Sequence, residues 1–430
     1  MEQILGSKSF IMAVMLGVGL LFSAFLHVRR MRGLRCKKLP EPLKEHYPPA
    51  ALVMALKGLD PGLRENLLAV LSQDHPDLQF VFAFESADDP AFSFVKELLQ
   101  EVRMTKPELR ASMVVAEISL QCSQKIANQL AALKHLSSVE QKGETVETFL
   151  FVDADIRPTK DFVRYLVHPL NELETGVTTG YRWYYPDPVS FSGLLCSTWN
   201  AGAFQAIVDP FLSFAWGGAM AIRREIFEQS GVEQSWQNSV SDDLSLTRMI
   251  RKNGLKIRFV PECVPITYEA PSLAETLEFT SRQMLIARIY HPALWWVASI
   301  THSLIIGFLA YGSVHLALWL ASGDEVWLSG MGALALLPFF LIFVGGLIRG
   351  AADWLPEVAS LVQKRCWLHV LMSPFASLLS VYSSIRNLMT RKICWRGIQY
   401  ELVSPEKTIV KRPEVGTQCH TGEENTPHKG

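Results

Sequence analysis

Two aspartates one residue apart, Asp153 and Asp155, end the run Thr148-Phe149-Leu150-Phe151-Val152. Extended backbone points residues i and i+2 the same way, so this strand end presents two hard oxygen donors together. Such donors suit Mg2+ or Mn2+, which keep waters and bridge phosphate oxygens. Alone, the D-x-D pattern is weak, since a chain this long holds about one by chance. A second acidic station is Ser241-Asp242-Asp243, where Ser241 is placed to cap a helix over Asp242–Lys252 that stops before Asn253-Gly254. Asp242 and Asp243 then fall in the first turn, where the helix dipole favours the carboxylate form. A general base must be ionised, but the same dipole weakens it, so proximity has to supply much of the rate. Between the two stations lies Trp216-Gly217-Gly218, whose paired glycines let backbone approach a bound group closely.

These stations need a scaffold, and the sequence between residues 40 and 290 supplies one. Short apolar runs at 51–56, 78–84, 113–116 and 149–152 alternate with helical patterns at 62–71, 91–102, 123–133 and 159–166. That alternation predicts an α/β domain with a doubly wound, mostly parallel sheet. In such a sheet, ligands sit outside the carboxyl ends of the strands. Those ends carry Lys57, then Glu85 with Asp88 and Asp89, then a helix start with Lys125 and Asn128, then Asp153 and Asp155. Acids, amides and two lysines converging on one rim form a nucleotide-and-metal arrangement.

Apolar excess flanks this domain. Residues 10–28 are nearly unbroken apolar, and Arg29, Arg30, Arg32, Arg35, Lys37 and Lys38 follow them. Basic residues after the run favour a retained anchor whose downstream side is cytoplasmic. Stretches 293–321 and 328–347 are two further spans, with Asp324 and Glu325 between them and Arg349 after. A third stretch, 366–385, has cations on both sides, which predicts a re-entrant or interfacial hairpin breaking near Pro374, or else a full span. The expected organisation is an anchor with its basic flank at 1–35, a cytosolic domain at 36–290, a membrane region at 291–403 and a disordered tail at 404–430. Segment 200–222 is apolar too, but Asp209-Pro210 interrupts it.

Composition removes other classes. Of 430 residues, 49% are hydrophobic and 19% charged, and 41 Lys+Arg against 42 Asp+Glu leave a net charge of -1. No basic field points to nucleic acid. Seven cysteines without a CxxC pair suggest reduced thiols on a cytosol-facing protein.

The ordered set ALKGLDPGLRENL, FAFESADDPA, SQKIANQL, FVDADIRP, WGGAMAIRREIFEQSG and SDDLSLTRMIRKNGLKIRF resembles the ceramide glucosyltransferase family, glycosyltransferase family 21, with its bacterial lipid and hopanoid glycosyltransferase relatives. The resemblance spans residues 51–259, and the segment 391–400 resembles the closing segment of membrane-bound bacterial members. It implies a GT-A-like fold and inverting transfer from a UDP-sugar, expected to be UDP-glucose, to a lipid hydroxyl such as that of ceramide. By motif, Lys57, Glu85, Asp88, Asp89, Lys125 and Asn128 fall on the nucleotide side, with Trp216, Gly217 and Gly218 beside the substrate. Asp153 and Asp155 match the metal and diphosphate position, and Asp243, beside Asp242, matches the catalytic base. The family's R/Q-x-x-R-W motif is incomplete here: Arg282 takes its first basic place, but Leu285-Ile286 stand where Arg-Trp would be. Helical spacing nominates Arg288 as the replacement cation. A processive polysaccharide synthase and a non-catalytic binding module are the competing readings.

Overall fold

The computed structural model describes residues 4, 7–34, 39, 47–140, 145–352 and 359–412. Its centre is a seven-stranded sheet of β1 (Ala50–Leu56), β2 (Leu78–Phe84), β3 (Ala111–Val115), β4 (Thr148–Val152), β5 (Thr175–Thr179), β7 (Ala219–Arg223) and β8 (Lys256–Phe259), while β6 (Trp183–Tyr184) pairs with β9 (Ile266–Thr267) in a small separate ladder. The strand order is β3-β2-β1-β4-β7-β5-β8, and every neighbouring pair is parallel except those that β7 makes with β4 and β5. Leu52, Met54, Phe80 and Phe82 are buried on one face, and Ala51, Val53, Val81 and Ala83 on the other. Burial of both faces explains why these strands read as continuous apolar runs. The chain leaves β1 for β2 on one side and β4 lies on the other, so the crevice between β1 and β4 is the switch point where ligands bind.

The expected helices are present with shifted ends. They span Leu63–Leu71, Pro90–Thr105, Gln124–Glu140 and Phe162–Val167. Asp89 caps the second, accepting from Ala91 N, with Pro90 at the first position where its missing N–H costs nothing. The third runs past residue 133 because Leu136 extends its buried stripe. The helix Asp242–Lys252 starts at Ser241, whose hydroxyl accepts from Leu244 N.

Among the described residues, four helices are long and apolar enough to cross a membrane: Lys8–Met31, Pro292–Ser322, Glu325–Gly350 and Val362–Met389. Ala13, Leu20, Ile305, Phe340 and Phe343 pack three of them together. The expected break at Pro374 does not occur, and one helix runs through it from Ala359 to Met389. Partners hold both halves: His369 Nε2 lies 2.9 Å from Ser197 Oγ before the proline, and Ser377 Oγ lies 3.1 Å from His302 Nδ1 after it. A proline inside a helix is tolerated where neighbours fix the two segments.

Two further expectations need correction. The tail does not begin at Ser404, since β10 (Lys392–Trp395), β11 (Ile398–Ser404) and β12 (Lys407–Lys411) form a three-stranded antiparallel sheet after the last membrane helix. Buried Ile393, Ile398, Tyr400 and Leu402 give it an apolar face that the polar composition concealed. Cys394 is disulfide-bonded, against the expectation of reduced thiols, whereas Cys122, Cys196, Cys263 and Cys366 are free and buried. Arg35, Lys37, Lys38 and the tail from 413 onward lie outside the described residues.

Candidate active site

The end of β4, the Gly217-Gly218 turn and the starts of the Gln124–Glu140 and Asp242–Lys252 helices meet at one ammonium. Lys125 Nζ lies 2.7 Å from Asp153 Oδ1 and 3.0 Å from Asp242 Oδ2, and donates to Gly217 O at 3.3 Å. Asp242 Oδ2 also accepts from Gln129 Nε2 at 2.9 Å. Asp243 turns to the other side of the glycine pair. Its Oδ2 accepts from Gly217 N at 3.0 Å, and its Oδ1 from Leu244 N at 2.7 Å and from the Ser241 hydroxyl. Asp153 N donates to Gly218 O at 3.2 Å, which fastens the end of β4 to the same turn. A Cβ on Gly217 would lie 2.9 Å from Lys125 Nζ and both Asp242 oxygens, and one on Gly218 would enter the Trp216 indole. The pair therefore has to be glycine for the acids to close round it.

The electrostatics follow from one cation serving several acids. Burial would lower the Lys125 pKa, but Asp153 and Asp242 hold the ammonium well above its ordinary value. Asp153 is raised above the usual carboxylate range by burial; Lys125 opposes the shift, while the charges of Asp155 and Asp242 add to it. Asp243 is likewise raised, by burial first and then by Asp242 beside it, against the hydroxyl of Ser241.

Asp155 has a different partner, one that the sequence reading missed. Its Oδ2 accepts from Arg182 Nη1 at 3.0 Å, and Arg182 stands over the Trp216 ring at 5.6 Å and the Phe279 ring at 5.5 Å. The available signal was a lone cation inside the aromatic run Tyr181-Arg182-Trp183-Tyr184-Tyr185. Asp155 Oδ1 is buried with no hydrogen-bond partner. A buried carboxylate oxygen left unsatisfied, beside a second carboxylate, fits a hard divalent cation. Among the described residues no group of three His, Cys, Asp or Glu side chains gathers as a closed cage. Two carboxylates leave the remaining positions to water and phosphate oxygens, as Mg2+ prefers.

The other expected residues divide. Lys57 lies beside the switch point and pairs with Glu85 at 2.8 Å. Burial acts to raise the Glu85 pKa, yet Lys57 and Arg412 hold it below the ordinary value. Asn128 donates to Ala83 O at 3.4 Å and accepts from Gln124. Asp89 is committed to backbone, accepting from Gly58 N and Ala91 N at 2.9 Å each, and Asp88 stays on an exposed turn against Ser86. Arg282 faces the site, but Arg288 does not join it. The Arg288 guanidinium donates to Asn387 O and lies 5.9 Å from the Trp295 ring, toward the last membrane helix. On the helix Leu273–Tyr290, six residues put the two arginines on different sides.

Lys57, Lys125, Asn128, Asp153, Asp155, Trp216, Gly217, Asp242, Asp243 and Arg282 all line one cavity of about 2240 Å³. Leu20, Ile305, Phe340, Phe343 and Leu347 from the membrane-spanning candidates line it too. One chamber thus carries both carboxylates and apolar side chains.

Comparison with solved structures gives remote likenesses. A mannosyltransferase from Pyrobaculum calidifontis, in complex with GDP-Man and Mn2+, is 17% identical with a TM-score of 0.46, covering 88% of this chain and 99% of its own. Glucosyl-3-phosphoglycerate synthase from Mycobacterium tuberculosis is 14% identical with a TM-score of 0.33, covering 57% of this chain and 80% of its own. The family match is of another order. The pattern described as Glycosyl transferase family 21 fits residues 10–408, from the first membrane helix to the last strand. With that span, and with a mostly parallel GT-A-like sheet carrying an acidic rim, the chain belongs to glycosyl transferase family 21 and is a sugar-transferring enzyme.

Proposed function

We propose that the protein moves a sugar, glucose by the family resemblance, from a UDP-sugar to the hydroxyl of a lipid acceptor such as ceramide or a hopanoid. The observation that carries this reading is the continuity of one chamber from Asp153 and Asp243 to Ile305 and Phe340. A water-soluble acceptor would have no use for apolar lining built from membrane helices. A lipid headgroup reaches the acids while its chains stay among those helices. The positive-inside bias of the first helix's basic flank supports a cytosolic setting for this chemistry, and Arg30 in that flank pairs with Asp209 of the enzyme domain at 2.6 Å.

Asp155 and Asp153 are the residues that would hold Mg2+ or Mn2+; when bound, the cation supplies charge neutralisation for the departing diphosphate. Arg282 supports the same charge from the helix side. Asp243 accepts the proton of the acceptor hydroxyl as that oxygen attacks the anomeric carbon. The bond to the diphosphate breaks on the opposite face, so a single displacement inverts the configuration and UDP leaves. Lys125 holds Asp242 and Asp153 in register, and the Gly217 N–H fixes one oxygen of Asp243.

The test is transfer of labelled glucose from UDP-glucose to a panel of lipids by the full-length protein in nanodiscs, with products read by mass spectrometry. Glycosylated ceramide, hopanoid, diacylglycerol or sterol supports the reading. Transfer only to water-soluble acceptors overturns it.

A further inference from the structure

The three-stranded sheet that follows the last membrane helix returns to the enzyme domain and closes one side of the chamber. Trp395, Arg396, Ile398 and Tyr400 line the chamber together with Arg282 and Asp60. Four ties hold the sheet there. Both guanidinium Nη atoms of Arg396 reach Asp60 Oδ1 at 3.0 Å, Arg412 pairs with Glu85, the Tyr400 hydroxyl accepts from Gln124 N at 3.4 Å, and Arg248 meets Glu406 at 2.8 Å. Three of these partners sit on the switch-point rim: Asp60 follows β1, Glu85 ends β2, and Gln124 opens the helix that carries Lys125.

The turn between β10 and β11 is built for this position. Arg396 has φ 49 and Gly397 has φ 78, so both central residues are left-handed, as a tight two-residue hairpin requires. Glycine takes that conformation freely. Arginine does so only where its surroundings over-determine it, and the fork onto Asp60 is such a constraint. The turn in turn fixes Trp395, one residue earlier, so that its indole faces the Arg282 guanidinium at 5.9 Å. Phe279, from the same helix as Arg282, lies 5.8 Å from that guanidinium as well. Arg282 is thus in contact with two aromatic rings, one local and one delivered from the end of the chain.

We propose that Trp395 is a positioning residue of the sugar-transfer site, holding the Arg282 guanidinium toward the leaving diphosphate. The inference rests on the donor being a nucleoside diphosphate sugar. It assigns to the post-membrane hairpin a part in turnover beyond docking. Contact with two aromatic rings restricts the directions open to a long, flexible side chain, and pre-organised charge is what stabilises a departing anion.

A double-mutant cycle decides the matter, using the full-length protein in nanodiscs with UDP-glucose as donor. Arg282→Ala lowers kcat/KM, and Trp395→Ala lowers it about tenfold, chiefly in kcat, while Trp395→Phe retains most activity because a ring face remains. In the Arg282→Ala background, Trp395→Ala costs less than about twofold further, since the residue has nothing left to position. Losses that multiply independently overturn the proposal, as does a Trp395→Phe variant that folds but is as slow as Arg282→Ala. Should Trp395→Ala fail to fold, the same cycle is run with Trp395→Leu, which keeps the packing volume and removes the ring; equal losses in both backgrounds again overturn it. Lys407→Ala, on an exposed position of β12, serves as the control for changes to the sheet that leave turnover unaltered. If the protein uses another nucleotide sugar, the cycle is run on that donor, so donor identity and the Arg282–Trp395 coupling fail separately.

Discussion

Asp153 and Lys125 meet at 2.7 Å, joining the end of a central strand to the first turn of a helix whose side chain also reaches Asp242. One ammonium therefore neutralises two acids delivered by separate elements, a strand end and a helix start. Lys125→Met keeps the aliphatic stem and removes the charge, leaving Asp153 and Asp242 facing each other. The Asp242 side chain is only 6% exposed, so this is a buried network and not a surface pair. Breaking such a pair costs about 3–5 kcal/mol. We expect a clear fall in thermal midpoint and loss of donor binding, measured by thermal shift with and without UDP.

Asp243 lies on the other side of the same glycine turn and is the acid placed to accept a proton. Asp243→Asn preserves an oxygen for the Gly217 N–H but removes the base. Turnover should fall by roughly 10²–10⁴-fold, while UDP-sugar affinity changes little. Calorimetric titration alongside steady-state rates checks both halves. Substantial retained turnover would reassign the base.

Burial and the neighbouring Asp242 charge raise the pKa of Asp243, so its proton is held at pH values where an ordinary aspartate is already ionised. The acid limb of the kcat/KM profile should accordingly lie above the ordinary carboxylate range, with the rate falling as pH drops through the raised value. Stability runs the other way. The folded chain binds this proton more tightly than the unfolded one, so the group's contribution is greatest below the ordinary aspartate pKa and declines as pH rises through the raised one. Paired rate and thermal-midpoint profiles, repeated on Asp243→Asn, should show both limbs for the parent and weaker ones for the variant, where the raised Asp153 still titrates.

The unsatisfied Asp155 oxygen predicts dependence on a divalent cation. Chelation by EDTA should abolish transfer, and Mn2+ or Mg2+ should restore it. Asp155→Ala should weaken Mn2+ binding measured by titration in the presence of UDP, and Arg182 is then left without its carboxylate. Full activity after exhaustive chelation would remove the cation from the scheme.

Gly217→Ala tests the closeness of the acids directly. The added Cβ would crowd Lys125 Nζ and the Asp242 carboxylate at 2.9 Å, so the side chains must give way. Overpacking of this kind costs about 1–3 kcal/mol. We expect a larger proportional loss in turnover than in thermal midpoint. Gly307→Ala, with nothing within 4 Å of the new Cβ, should be silent in both.

Much of this architecture could be read from residue order. The apolar runs that became β1, β2 and β4 were legible because strands buried on both faces are uninterrupted by polar residues. Ser241 and Asn253 bracket the Asp242–Lys252 helix as local hydrogen bonding requires, so that element needed no tertiary information. The two acidic stations were visible for the same reason, since strand ends and helix starts are local events.

The order of residues could not say which side chains meet. Arg182 was passed over because a cation among aromatics becomes informative only once β5 and β7 bring it to Asp155. Arg288 was chosen on spacing alone, and helical rotation carries it away to Asn387. Pro374 looked like a break until Ser197 and His302 were found holding the helix on either side of it.

The sequence by itself determined the local elements, the membrane helices and the identity of the acids, because hydrophobic period, capping and composition act over a few residues. Only the tertiary structure decided that Lys125 serves two of those acids, that Asp155 keeps an open oxygen, and that the chain's last hairpin lies over Arg282. Those facts depend on through-space distances between separate elements, and such geometry leaves no periodic trace along the chain.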